Sequence, residues 1–104
     1  MPRGRDVKHE SKWSDVLNIF DDGYFSAIWG HYDGSPRRRL GIRWNGDNGT
    51  ENFPLSFGNP VWMVVPDILS RAVLHELSHL KQNSGDPKED DKNKENIEIA
   101  LHAS

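Results

Sequence analysis

Residues 75–79 read His75-Glu76-Leu77-Ser78-His79, which fits the H-E-x-x-H pattern of zinc hydrolases. On a helix, His75 and His79 stand one turn apart and project from the same side, so two imidazoles can reach one tetrahedral ion. Glu76 stands where such enzymes carry the general base that activates a metal-bound water. A single-zinc centre needs a third protein ligand. The extended form H-E-x-x-H-x-x-G-x-x-H is absent, because Gln82 and Gly85 hold its two later positions, and Glu95, Glu98 and His102 are left as candidates. The bland reading of the same residues is an amphipathic helix with two solvated histidines, whose Glu76 bends outward or pairs with an arginine.

A second group of residues suits ligand binding rather than catalysis. Arg43, Trp44 and Asn45 lead into the longest irregular stretch, NGDNGTENFPLSFGNP at 45–60, and Trp62 follows it. Loops of that length in a small domain are often functional. Phe53, Leu55 and Phe57 would be out of place in a solvated loop and should fold back over the core or a groove. Arg43, Trp44, Asn45 and Trp62 are therefore the expected lining of a polar-aromatic small-molecule pocket. The run Arg37-Arg38-Arg39 is chemically able to hold phosphate or RNA, but charge at a hairpin end also guards a strand edge against mispairing.

These residues depend on a framework that is most legible at 61–81, VWMVVPDILSRAVLHELSHLK. The valine-rich run 61–65, preceded by the turn residues Gly58-Asn59-Pro60, reads as a buried strand. Pro66 suits the start of a helix, and Asp67 places negative charge at the positive end of its dipole. The helix is expected over 67–81, burying the arc Leu69, Ala72, Val73, Leu77 and Leu80, with Ser70, Arg71, Ser78 and Gln82 opposite. The same projection sets Glu76 inside the apolar arc, where an unpaired carboxylate is costly. Upstream, Trp13, Val16, Leu17 and Phe20 recur at helical spacing and predict a short helix ending near Asp21. Residues 24–30 and 38–44 read as strands joined by the turn Asp33-Gly34-Ser35-Pro36. Residues 1–12 read as a flexible arm, and the polar stretch from 83 as a charged, partly disordered tail. Only Ile97, Ile99 and Leu101 suggest an edge strand or short helix there.

Composition narrows the classes. A chain of 104 residues makes one domain. Four Trp, four Phe and two Tyr supply large buried areas to a modest core. With no cysteine, neither disulfides nor thiolate metal sites are available. Ten basic and ten acidic residues lie at 1–81, against three and six at 82–104, so the tail carries the whole net charge of -3. A neutral folded part argues against a dedicated nucleic-acid-binding domain. No apolar run approaches a membrane span and the N-terminal residues lack a signal-peptide segment, so a cytoplasmic protein is expected.

Three strings, Tyr24-Phe25-Ser26-Ala27-Ile28-Trp29-Gly30, Leu40-Gly41-Ile42-Arg43-Trp44-Asn45-Gly46 and Gly58-Asn59-Pro60 with Trp62 and Pro66, resemble a family of small bacterial proteins on mobile genetic elements, including integron gene cassettes. The resemblance covers roughly residues 20–70. It implies a small cytoplasmic α+β domain that self-associates and has no established biochemical activity. Residues 75–79 lie outside it.

The expectation is thus an α+β domain over 13–82. It has a three-stranded, mainly antiparallel sheet (24–30, 38–44, 61–65), a main helix on one face and a short N-terminal helix at an edge. Its exposed edges and aromatics predict a homodimer. The expected function is binding or interaction, with a small molecule or a protein as ligand, no cofactor, no nucleic acid and no membrane. The alternative is a small zinc hydrolase using His75, His79 and Glu76.

Overall fold

The computed structural model describes residues 12–45, 52–56 and 59–104. Three long antiparallel strands form its centre: β1 (Trp13–Asp21), β2 (Phe25–Tyr32) and β3 (Arg38–Asn45). Short pieces follow: β4 (Asn52–Phe53), β5 (Leu55–Ser56), β6 (Asn59–Pro60) and β7 (Met63–Val64). β4 and β7 both pair antiparallel with the outer edge of β3, at Trp44–Asn45 and Gly41–Ile42 respectively, while β5 and β6 make a separate two-stranded ribbon. Two helices complete the chain, α1 (Asp67–His79) and α2 (Pro87–Ala103). The α+β class is as expected, but the sheet has more than three strands.

The expected N-terminal helix is strand β1. Two register shifts, between Ser14 and Leu17 and between Asn18 and Phe20, each insert one residue into β1 against β2. Such bulges break the period of two, so the apolar positions 13, 16, 17, 19 and 20 imitate helical spacing. Pairing with β2 overrides that local pattern, and the β-branched and aromatic residues of β1 suit a strand.

The presumed tail is also ordered. Asp86 caps α2 by accepting a hydrogen bond from Lys88 N (3.0 Å), and Pro87 occupies the first turn. The helix buries Asn93, Asn96, Ile97 and Ala100 and lies mainly along β1. Half of that buried stripe is asparagine, which is why the composition looked like disorder. Each of those asparagines has work inside the fold: Asn96 Nδ2 donates to Asn18 O (2.9 Å) and Asn93 Nδ2 to Gln82 Oε1 (3.4 Å).

Both faces of the sheet are covered. On the helix side Phe20, Ala27, Trp29, Leu40, Val65, Leu74, Leu77 and Ile97 form the main core. On the other, Trp13, Ile28 and Trp62 form a smaller one with Val16, Tyr32 and Val64. Gly41 lies beneath Trp13 there: a Cβ at this position would stand 2.9 Å from Ile28 Cγ1 and 2.9 Å from Trp13 Cη2. The indole can therefore seat against bare backbone.

Both sheet edges are occupied over much of their length. Along β1, Gln82 Oε1 accepts from Asp21 N (2.9 Å), Gln82 Nε2 donates to Ile19 O (2.9 Å), and Asn83 N donates to Asp21 O (2.8 Å). β4 and β7 take the edge of β3.

Candidate functional site

The helix carrying the H-E-x-x-H string is rotated from the expected orientation. It buries Ser70, Leu74 and Leu77, a stripe centred on Leu74, which was absent from the expected arc. Leu69 and Leu80 are about half exposed, and Glu76 is solvent-facing rather than inside the apolar arc. α1 ends at His79, with Leu80 extended, so Gln82 leaves the helix and turns into the buried edge of β1.

His75 and His79 do come together, with ring centroids 4.8 Å apart on the exposed side. His79 Nδ1 lies 2.8 Å from His75 O. A carbonyl only accepts, so Nδ1 is the donor in this contact. Among the described residues no group of three or more His, Cys, Asp or Glu side chains is placed to hold a metal ion. The two rings lie side by side on the exposed face of α1, with Glu76 next to His75 in the chain.

Of the four expected pocket residues, three share one face and the fourth does not. Arg43 is 1% exposed and Asn45 is fully buried, both on the face opposite the helices. Arg43 Nη1 donates to Val61 O (2.9 Å) and Nη2 to Trp44 O (3.1 Å), and the guanidinium carbon stands 6.0 Å from the centre of the Trp62 ring. Burial lowers the arginine pKa from its ordinary value. Asn45 Nδ2 donates to Ser26 Oγ (2.8 Å), whose hydroxyl lies 3.1 Å from Asn45 Oδ1, and Asp21 Oδ1 lies 3.5 Å from the same Nδ2. Most of these polar groups are engaged with one another and with backbone carbonyls, Arg43 Nε being the buried donor left without a partner among the described residues. The void beside them, walled by Asp21, Ser26, Trp62 and Asn93, holds about 10 Å³, room for a water and no more. The cluster is a polar core. The loop residues 46–51 and Phe57, which the sequence reading placed over this pocket, lie outside the described residues.

Trp44 points the other way, and alternation along β3 explains it: residues 43 and 45 share one face and 44 takes the other. The register aligns Phe25, Trp44 and Phe53 across β2, β3 and β4. Phe25 meets Trp44 edge to face at 4.9 Å between centroids. Trp44 is 45% exposed and Phe53 49%. Met63, 42% exposed, pairs with Ile42 on the same face. The helices cover the sheet around Ala27, Trp29 and Leu40 and leave this end open. Sequence reading named Trp44 but missed its neighbours. The register that makes a row of Phe25, Trp44 and Phe53 depends on which strands pair. No family model, curated protein or solved structure matches this chain.

Proposed function

We propose that this is a binding protein that acts by pairing with another protein surface, in the first instance a second copy of itself, through the aromatic face at Phe25, Trp44 and Phe53. The observation that carries this reading is the cross-strand aromatic row, half exposed and continuous with the core. Contiguous apolar surface of this kind marks interaction sites more often than isolated exposed residues do, and aromatic anchors dominate interface energetics. Because other segments already hold much of both sheet edges, association is expected face to face rather than by adding strands. This also fits the self-association implied by the resemblance to mobile-element proteins.

Sedimentation velocity tests it. The wild-type chain is expected to form dimers and Trp44→Lys monomers with unchanged circular dichroism. A wild-type chain that stays monomeric across the accessible concentration range removes the proposal.

A second reading has its own observation, the paired imidazoles 4.8 Å apart on α1. In it His75 and His79 hold zinc and Glu76 serves as base, with the third ligand still to be supplied. Elemental mass spectrometry on protein purified without a metal-binding tag, beside His79→Ala, decides it. Near-stoichiometric zinc lost in the variant supports a metal centre, and zinc neither retained nor gained on titration ends this reading.

A further inference from the structure

At the other end of the sheet, where α1 begins and α2 ends, lies a cleft of about 220 Å³ walled by His31, Arg37, Arg38, Asp67, Arg71 and the buried Trp29. Its charge is lopsided. The one acidic side chain among the lining residues, Asp67, is engaged by Arg39 from outside the lining (Nε to Oδ1, 2.9 Å) and only loosely by Arg37 (3.7 Å). Of the remaining arginines, Arg38 is held by neutral carbonyls, and Arg71 by an oxygen of the last residue, Ser104, whose terminal carboxylate offsets part of its charge. Arg38 Nη1 donates to the carbonyls of Asp15 and Trp29, and Arg71 Nη1 donates to Ser104 O (3.1 Å). Carbonyls orient a guanidinium without cancelling its charge, and each guanidinium has five N–H donors. One further feature adds to the site: the buried indole Nε1 of Trp29 has no acceptor among the described residues.

We propose that this cleft binds a small phosphate-bearing ligand, inorganic phosphate or a small phosphomonoester, on Arg37, Arg38 and Arg71. A planar guanidinium meets phosphate oxygens in a bidentate fork, and several of them suit a dianion better than a single carboxylate. The size restricts the class. Clefts that enclose drug-sized ligands hold roughly 300–1,000 Å³, so this one takes a phosphate with few other atoms and not a nucleotide. The chain as a whole is negative, which makes this local concentration of arginine a focus for anions rather than part of a general basic surface.

Isothermal titration of the full chain in low-salt chloride buffer tests it, first with inorganic phosphate and then with glycerol phosphate. The variant Arg37→Gln/Arg71→Gln alters two exposed side chains, and Lys92→Gln/Lys94→Gln removes the same charge from the exposed side of α2. The expected result is saturable binding that weakens about tenfold or more in the arginine pair, through lost charge-assisted bonds, and stays unchanged in the lysine pair. Tighter binding of glycerol phosphate identifies an organic phosphate as the ligand, and equal binding identifies the free ion. Equal weakening in both pairs, no saturable binding of either probe, or tighter binding of a short oligonucleotide overturns the proposal.

Discussion

Gln82 shows how one side chain can stand in for a strand. Its amide accepts from Asp21 N and donates to Ile19 O, both at 2.9 Å, as a neighbouring peptide unit would. The residue is 5% exposed, so those backbone groups have no water to fall back on. Gln82→Ala orphans a buried N–H and a buried C=O, at about 1–3 kcal/mol each. For a domain of this size the loss is expected to lower Tm by roughly 10–20 °C, measured by thermal unfolding, whereas Lys81→Ala next to it should shift Tm little. Sequence reading placed Gln82 on the solvent side of a continued helix. Nothing local distinguishes a solvated glutamine from one bonded to a strand 61 residues away. The same blindness applied to Arg43 and Asn45, chosen as pocket residues for their polarity. Arg43 Nη1 and Nη2 and Asn45 Nδ2 prove to be engaged by Val61, Trp44 and Ser26 inside the core.

At the scale of elements, the largest corrections fell on β1 and α2, for opposite reasons. β1 has a clear apolar pattern of misleading period, because two bulges convert alternation into apparent helical spacing. α2 has almost no apolar pattern, because Asn93 and Asn96 occupy its buried stripe. What was legible in α2 was its beginning, since Asp86-Pro87 is a helix-start pair by capping chemistry. A helix with so little apolar surface depends on that start. Asp86→Ala removes the acceptor for Lys88 N (3.0 Å) and is expected to cost about 1 kcal/mol. Amide hydrogen exchange should show it first as lost protection in residues 87–92, with β2 and β3 unaffected. Equal loss of protection across β2 would mean that the cap serves the whole fold rather than the helix.

At the scale of the molecule, the two helices and the Trp13–Trp62 cluster close both faces of the sheet near its middle, and surrounding segments hold its edges. Uncovered aromatic area is then concentrated at the end at Phe25, Trp44 and Phe53, while Ile68, Leu69, Leu80 and Ile99 are exposed on or beside the helices, and the arginine cleft lies at the opposite end. If that aromatic face pairs two copies, dimerisation is linked to folding by mass action. The melting temperature of the wild-type chain should then rise with protein concentration, and that of Trp44→Lys should not. Among the described residues no helix is long and apolar enough to cross a membrane.

From the sequence alone came the α+β class, the strands over 24–30 and 38–44, the start of α1 at Asp67 behind Pro66, and the proximity of His75 and His79. All rest on short-range rules: alternation, proline and acidic helix starts, and one-turn spacing, which hold whatever the rest of the chain does. Tertiary structure decided the remainder. It made β1 a strand, turned Leu74 inward and Glu76 outward, recruited Gln82 and Asn96 to the edge of β1, and separated Trp44 from Arg43 and Asn45. It also brought Arg71 of α1 beside Arg37 and Arg38 at the start of β3. Each of these outcomes depends on a partner distant in sequence, and burial or charge supplied by a distant partner leaves no periodicity to read.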